Sequence, residues 1–265
     1  MNNDEILEKD KIWDEKLNIF TSVSDHSEED DSNYGYDPTP YVVLEEILKT
    51  DLLEKDDVLV DYGCGKGRLG FFFHNQTGCR VIGLDHSKRM VKKANKNLQN
   101  YGSSDEICFI HTKAEEYVPL ENANRFYFFN PFSSKIFAKV LEKIQESYDK
   151  NPREIIVFFY YSTIEYKLYL KTEPRLELID SVEFDGKLVA DEGTANLDIF
   201  RFKLSRNSLK SITIRQKQHK PNKPIYKPKT ATTPKPQQTK NSHNPKTQQT
   251  KMIIRLNILT NNIQY

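Results

Sequence analysis

The sequence predicts an α/β fold in three layers, with a mostly parallel β-sheet between two layers of helices. First, short apolar segments alternate with helical segments in units of about 20–30 residues, the pattern of a parallel sheet whose strands are connected by helices. Second, the segment at 155–160 is apolar throughout, as expected for a strand that is buried on both faces. Third, the pattern ends on two strand-like segments, which predicts a last strand inserted antiparallel.

Residues 1–33 precede the alternating pattern and are predicted to form a helix and an acidic loop. The helix is expected over 3–20, because apolar residues recur on roughly one face. These apolar residues are Ile6, Ile12, Trp13, Leu17 and Phe20. Residues 22–32 are polar and strongly acidic, which is typical of an exposed loop. A second helix is predicted to begin at Pro40 with Thr39 as its N-cap, because proline is favoured at the first helical position.

The strand–helix domain is expected to cover residues 34–204. Strands are predicted at 58–61, 80–84, 107–111, 126–129 and 155–160, and helices at 68–74, 87–101, 134–148 and 164–170. Two final strands, at 176–184 and 195–204, are expected to pair antiparallel across a loop with glycine and acidic residues.

The formal net charge of +1 combines two regions of opposite charge. Of the 39 Lys and Arg residues, 13 lie in 205–265, where there is no Asp or Glu. The other 26 stand against all 38 acidic residues within 1–204, which gives this part a net charge of −12. Residues 216–251 have almost no apolar side chains, and such a segment cannot offset the entropy lost on folding. We therefore expect a basic, low-complexity, disordered tail at 205–265, which could contact nucleic acid electrostatically.

Several classes of protein are disfavoured by the composition. No window of about 18 residues is apolar and uncharged, so no membrane-spanning helix is expected. The first residues are acidic and polar, which argues against a secretory or transit peptide. Cys64, Cys79 and Cys108 are isolated and fit neither a disulfide framework nor a paired-cysteine metal site. We expect a monomer without a bound metal in a reducing compartment, the cytoplasm or alternatively the nucleus.

The strongest chemical signal is a glycine-rich sequence at 61–67, between a predicted strand and a predicted helix. Gly63, Gly65 and Gly67 permit a tight turn and a close approach of the backbone to a ligand. Asp85 ends the next strand, 22 residues after Gly63. At that position a carboxylate accepts hydrogen bonds from ribose hydroxyls.

Two nucleotide cofactors fit this pattern. A dinucleotide uses a G-x-G-x-x-G sequence and places its pyrophosphate at the helix N-terminus. Here the third glycine comes one position early, and Arg68 occupies the place of the last glycine or alanine. Asp61 puts a carboxylate at the loop, which disfavours a pyrophosphate and suits the ammonium group of an amino acid. S-adenosylmethionine carries such an ammonium group and a ribose, but no phosphate.

These residues resemble the cofactor motifs of class I S-adenosylmethionine-dependent methyltransferases, which have a Rossmann-like sheet with an antiparallel last strand. The resemblance rests on Asp61, the three glycines and Asp85. It implies that the glycine loop contacts the methionine part of S-adenosylmethionine and that Asp85 holds the ribose. Adenine is then expected beside Ala114 and Glu115, where Lys113 departs from the acid that many members carry.

The acceptor side is predicted from Asn130, Pro131 and Phe132, which follow the fourth strand. They resemble the Asn/Asp-Pro-Pro-aromatic motif of methyltransferases that modify planar amino groups, with one proline instead of two. The resemblance implies that the Asn130 oxygen and the Pro131 carbonyl bind the target nitrogen, while the Phe132 ring stacks on the acceptor. Asn and Pro are also common turn residues at a strand end. Tyr36 and Thr39 are expected to fold over the cofactor, as this region does in family members.

The sequence therefore predicts an S-adenosylmethionine-dependent methyltransferase that methylates a nitrogen of a nucleic acid base or a protein side chain. The alternative is a catalytically weak or inactive binding module of the same fold, whose basic tail tethers RNA or a partner. The acidic charge of residues 1–204 opposes binding of a phosphate backbone by the domain alone. Nucleic acid binding would then depend on the tail or on a local basic patch.

Overall fold

The computed structural model describes residues 3–28, 33–184 and 195–203. The predicted disordered tail at 205–265 and the loop between the last two strands lie outside these ranges. Within them, no helix is long and apolar enough to cross a membrane. The same ranges contain no group of three or more His, Cys, Asp or Glu side chains that could hold a metal ion.

The described residues form the predicted strands and helices, with ends shifted by at most three residues. The strands are β1 (Val58–Tyr62), β2 (Arg80–Asp85), β3 (Ile107–His111), β4 (Arg125–Phe129), β5 (Ile156–Tyr160), β6 (Leu176–Phe184) and β7 (Ala195–Phe202). The helices are α1 (Asn3–Leu17), α2 (Tyr41–Lys49), α3 (Arg68–Thr77), α4 (Lys88–Tyr101), α5 (Ser134–Lys150) and α6 (Ile164–Thr172). A 3₁₀ turn at Ala114–Glu116 follows β3.

The strands form one sheet in the order β3-β2-β1-β4-β5-β7-β6. Strands β1 to β5 are parallel, and β7 is inserted antiparallel between β5 and β6. The predicted parallel sheet with an antiparallel last strand is therefore confirmed. The strand order reverses between β1 and β4, and open α/β sheets bind ligands at the carboxyl ends of their strands at such a point.

Two apolar clusters cover the two faces of the sheet and make the fold three-layered. Helices α2 and α3 supply residues such as Val43 and Phe72 to one cluster. Helices α5 and α6 supply residues such as Leu141 and Tyr166 to the other. Successive side chains of a strand point to opposite faces, so all the parallel strands must be apolar nearly throughout.

Helix α1 differs from the prediction at its end and on its face. It ends at Leu17 instead of residue 20, and Ile12 and Phe20 are 55% and 75% exposed, so the five apolar residues predicted to share one face do not form a single buried face. The buried face instead includes Asp10 and Asp14, which bind a buried arginine described below. A hydrophobic pattern cannot reveal a face on which acidic residues are buried by an ion pair.

The predicted cap of α2 is also wrong. Pro40 itself is the N-cap, and the helix begins at Tyr41 without a side-chain cap. The Thr39 hydroxyl lies 3.0 Å from the Tyr127 hydroxyl instead, within hydrogen-bond distance. The Tyr41 N–H donates to the Asp10 carboxylate of α1 at 3.0 Å. A tertiary contact thus replaces the local cap.

Candidate active site

Two neighbouring cavities open at the carboxyl ends of the parallel strands. The first, of about 910 Å³, is lined by Asp61, Asn130 and Tyr160 from the ends of β1, β4 and β5. The second, of about 940 Å³, lies beside β2, β3 and the 3₁₀ turn. Gly63 and Asp85 line both cavities, so the two meet where the strand order reverses.

The glycine loop connects β1 to α3 and is fixed against the end of β2. The Gly63 N–H donates to the Leu84 carbonyl at 2.8 Å, and the Gly65 N–H donates to the Asp85 carboxylate at 2.8 Å. Gly63 has φ +82°, and a Cβ there would lie 2.6 Å from the Pro131 Cβ. Glycine is therefore required at this position, because the backbone has a positive φ and because Pro131 leaves no room for a Cβ.

Asp85 holds the loop and still has hydrogen-bonding capacity. One carboxylate oxygen accepts the Gly65 N–H, and the other accepts the Ser87 N–H at 2.8 Å. Burial raises the pKa of Asp85, and these two backbone hydrogen bonds partly oppose that rise. Each carboxylate oxygen accepts more than one hydrogen bond, so Asp85 can bind a ligand hydroxyl without releasing the loop.

Asp61 is a buried carboxyl group without a cationic partner among the described residues. Its side chain is only 4% exposed, and no described residue donates a hydrogen bond to it or forms an ion pair with it. Burial, and secondly the charge of Asp85, raise the pKa of Asp61 to about 8. Burying a carboxylate without a partner is unfavourable, so this side chain is suited to a cationic ligand.

Cofactor affinity is expected to rise with pH up to about 8. The pKa of Asp61 is about 8, so the carboxyl is protonated below this pH, and binding of an ammonium group must release the proton. The association constant should increase by up to about tenfold per pH unit below this value and fall again once the ammonium group of the ligand loses its own proton. Calorimetric titration of S-adenosylmethionine in buffers of different ionisation enthalpy measures the release. Binding without proton release at mildly acidic pH would contradict the prediction that Asp61 binds the ammonium group.

Residues 19–28 and 33–39 border the mouth of the first cavity. Asp25 anchors them to α4, because its carboxylate accepts hydrogen bonds from Arg89 at 2.8 Å and Lys93 at 3.0 Å. Hydrogen bonds from Arg89 first and Lys93 second hold the pKa of Asp25 well below its usual range. The anchor is therefore charged at physiological pH.

Tyr36 and Thr39, both predicted to lie over the cofactor, line the first cavity. The Tyr36 ring packs on Gly65, where a Cβ would come within 2.0 Å of a ring carbon. Its hydroxyl donates to the Thr21 carbonyl at 2.9 Å. Thr39 is 7% exposed and contacts Tyr127. Tyr36 is thus placed on the glycine loop, whereas Thr39 lies deeper in the wall.

Arg68 organises the N-terminal residues around the cavity, a role that sequence reasoning missed. The guanidinium is 2% exposed and binds the Asp10 carboxylate. It also donates to the hydroxyls of Thr21 at 2.7 Å and Ser22 at 3.0 Å, and lies 3.6 Å from the Asp14 carboxylate. No clear sequence signal marked this role, because Asp10 and Asp14 are two of several acidic residues on the strongly charged helix α1.

Asn130 and Tyr160 line the first cavity, and each carries a buried polar atom without a described partner. The Asn130 Oδ1 and the Tyr160 hydroxyl are both buried and have no hydrogen-bond partner among the described residues. Asn130 has φ +39°, a conformation that Asn adopts more readily than most residues. The Phe129 and Tyr160 rings pack 4.8 Å apart between their centroids. The wall is therefore aromatic, with two free hydrogen-bonding groups.

Unlike the Asn130 side chain, the Pro131 carbonyl and the Phe132 ring already have contacts within the protein. The Pro131 carbonyl accepts the Tyr34 N–H at 3.3 Å, so part of its hydrogen-bonding capacity is used within the protein. Phe132 is 4% exposed and packs edge-on against Tyr62 and Phe128 in the apolar core. The structure brings the three residues to one turn, but the Phe132 ring mainly contacts the core.

Ala114 and Glu115 lie on the 3₁₀ turn and line the second cavity together with Asp85. Lys113, the residue that departs from the family pattern, points to an ion pair with Glu116 at 3.8 Å. Both groups of that pair are well exposed. The position predicted for adenine therefore borders a cavity that continues from the glycine loop.

Residues 53–193 match the family model described as a methyltransferase domain, which is more than half of the chain. The chain belongs to this family and is an S-adenosylmethionine-dependent methyltransferase with the class I, Rossmann-like fold. The enzyme class and the cofactor predicted from the sequence are confirmed.

Individual relatives are distant or similar over short segments. Geranyl diphosphate 2-C-methyltransferase from Saccharopolyspora erythraea is 33% identical over 57 residues, 22% of this chain and 20% of that protein. This chain thus spans about a fifth of that relative's length. TrmN from Thermus thermophilus is structurally similar with a TM-score of 0.51 and 15% identity, over 62% of this chain and 49% of that one. An RNA methyltransferase from Salinibacter ruber, in complex with S-adenosyl-L-homocysteine, gives a TM-score of 0.46 and 20% identity, over 64% and 97% of the chains.

Proposed function

We propose that S-adenosylmethionine binds across the two cavities. Asp61 faces its ammonium group and Asp85 its ribose hydroxyls. The loop of Gly63, Gly65 and Gly67 turns beside its methionine part, with Gly63 as the glycine that lines both cavities. Ala114 and Glu115 border the adenine, and Tyr36 and Thr39 cover the cofactor. The unpartnered carboxyl of Asp61 and the remaining lone pairs of Asp85 support this fit, because both need a ligand with a cation and hydroxyls. The bound cofactor supplies a methyl group activated by a sulfonium.

We propose that the methyl acceptor is a nitrogen of a nucleic acid base or a protein side chain, held at the turn of Asn130, Pro131 and Phe132, where Asn130 and Pro131 line the first cavity and the Phe132 ring supports the turn from the core. One observation carries this proposal: the Asn130 Oδ1 is buried in the cavity wall without a partner. A buried acceptor left unsatisfied costs about 1–3 kcal/mol, and an N–H of the methyl acceptor would satisfy it. The free hydroxyl of Tyr160 offers a second contact in the same wall.

The protein's part in methyl transfer is alignment and exclusion of water. A displacement at an activated methyl group needs donor and acceptor in line, and orientation supplies much of the rate. Asn130 orients the acceptor nitrogen through its N–H, while α1 and the 19–28 segment border the cavity mouth. Removal from water disfavours the charged form of an amine, so a cavity that excludes water favours the neutral amine, which leaves the nitrogen lone pair free to attack.

Asn130→Gly is expected to reduce methyl transfer by about 10²-fold while leaving cofactor binding unchanged. Glycine keeps the positive φ at this position and removes only the side chain. Transfer of labelled methyl groups to a cell extract measures the effect, and RNase or protease treatment identifies the class of acceptor. Asn196→Ala is the matched control, because the Asn196 Oδ1 is also buried without a partner but does not line the cavity. Equal transfer by Asn130→Gly and the wild type would refute the role of Asn130.

The alternative is a weakly active or inactive enzyme that tethers RNA or a protein through residues 205–265. The single proline after Asn130, and the absence of a dedicated base beside it among the described residues, favour this reading. A wild-type protein that binds S-adenosylmethionine but transfers no label would support it. Deleting 205–265 should then abolish RNA binding. A cytoplasmic, monomeric state is part of both proposals.

A further inference from the structure

The outer face of α4 carries a local positive charge on an acidic domain. The helix has five Lys and Arg residues and no Asp or Glu in 14 residues, whereas residues 1–204 have a net charge of −12. Lys88, Lys92 and Lys96 recur at every fourth position, so they share one face, and all three are exposed. The ion pairs that α4 forms with described residues involve Arg89 and Lys93. The three exposed lysines remain available to an anionic partner.

An aromatic ring is displayed next to this helix on a fixed backbone. The Phe20 side chain is 75% exposed. The Asn97 side chain of α4 accepts the Phe20 N–H at 3.0 Å and donates to the Phe20 carbonyl at 3.3 Å. Asn97 is 3% exposed and also donates to the Lys66 carbonyl at 3.0 Å. Phe20 is therefore held rigidly by a buried residue although its ring adds little to the core.

The polar character of α4 distinguishes a nucleic acid surface from a membrane surface. Its apolar residues Met90, Val91 and Ala94 are buried against the sheet. Its exposed residues are all polar: Lys88, Lys92, Asn95, Lys96 and Gln99. A helix that binds in a lipid interface needs an exposed apolar face. Single-stranded nucleic acid is bound instead by basic side chains on the phosphates together with aromatic rings that stack on bases.

We propose that α4 and Phe20 form a docking surface for single-stranded RNA. Lys88, Lys92 and Lys96 contact successive phosphates, and the Phe20 ring stacks on a base. The surface borders the first cavity, because Arg89 and Lys93 on the same helix bind Asp25 at its mouth. The proposal is independent of the acceptor assigned above and differs from binding through the 205–265 tail.

Fluorescence anisotropy with a labelled single-stranded RNA oligonucleotide tests this surface on the full chain. The variant Lys88→Gln/Lys92→Gln/Lys96→Gln removes three charges and keeps good helix formers. It should lower the slope of log K against log salt by about 2, because each phosphate contact of a single strand contributes about 0.7. The matched control, Lys150→Gln/Lys167→Gln/Lys171→Gln, removes three exposed lysines from α5 and α6 and should leave the slope unchanged.

Phe20→Ala provides a second, charge-independent test. It should weaken RNA binding at least about fivefold, the lower end of the stacking contribution of one base. Ile164→Ala is its control, because Ile164 is 79% exposed on α6, away from α4. Circular dichroism and thermal unfolding check that each variant is folded.

Three outcomes would overturn the proposal. Equal effects of the two triple variants would show a general charge effect, and unchanged binding by the α4 variant would assign RNA binding to another region. If the α4 triple variant lost binding to vesicles of phosphatidylcholine and phosphatidylserine but still bound RNA like the wild type, the lysines would form a lipid-binding surface. Because no measurement uses methyl transfer, an inactive enzyme would leave the test valid.

Discussion

Arg68→Met is expected to lower the free energy of unfolding by about 3–5 kcal/mol, the usual cost of removing one partner of a buried ion pair. Arg68 is 2% exposed, and the substitution leaves the buried carboxylates of Asp10 and Asp14 without a cation. Burial already raises the pKa of Asp10 despite the opposing charge of Arg68. Urea unfolding measures the change, and a loss below about 1 kcal/mol would contradict the importance of this pair.

Two further variants distinguish the effect of unpaired buried carboxylates from a general loss of stability. Adding Asp10→Asn to Arg68→Met should recover part of the stability, because Asn accepts the Tyr41 N–H without a buried charge. Arg125→Met is the control for cofactor binding, since Arg125 pairs with buried Asp57 at 3.3 Å on the opposite end of the sheet. Arg68→Met should weaken binding of S-adenosylmethionine by loosening the residues around the cavity, whereas Arg125→Met should only reduce stability.

Asp61→Asn is expected to weaken S-adenosylmethionine binding by at least about 30-fold, since truncating one member of a buried charge pair costs about 2–5 kcal/mol. The reason is that Asp61 is the unpartnered acid to which we assign the ammonium group of the cofactor. Asp57→Asn is the matched control, because Asp57 is also buried but lies at the opposite end of β1. Calorimetric titration distinguishes them, and equal affinities of Asp61→Asn and the wild type would falsify the assignment.

Asp61→Asn should also become increasingly more stable than the wild type as the pH rises. The pKa of Asp61 is about 8 in the folded protein, against an ordinary value of 3.8. Between these values the folded state holds a proton that the unfolded state has lost, so wild-type stability falls with increasing pH. Asparagine does not ionise and avoids this penalty, so the advantage of Asp61→Asn should grow from acidic to alkaline pH. Urea unfolding at several pH values checks the trend.

Local sequence patterns determined the fold of this protein and its enzyme class. Strands were recognisable because buried parallel strands are apolar throughout, and the antiparallel last strand because the chain ends on two strand segments. The glycine loop and Asp85 were recognisable because a strand–turn–helix that binds a nucleoside needs these residues at fixed spacing. Residues near each other in sequence, or at the ends of adjacent parallel strands, are brought together by the topology alone.

Only the tertiary structure revealed how the N-terminal residues complete the cavity. Nothing in the sequence indicated that Asp10 and Asp14 are buried by Arg68. Thr39 was predicted as a helix cap, but its hydroxyl lies beside that of Tyr127. Phe20 was predicted on the apolar face of the first helix, but it lies after the end of that helix and is exposed beside α4. The reason is physical: a charge or hydroxyl is buried only when a partner distant in sequence compensates it, and no local pattern encodes that partner.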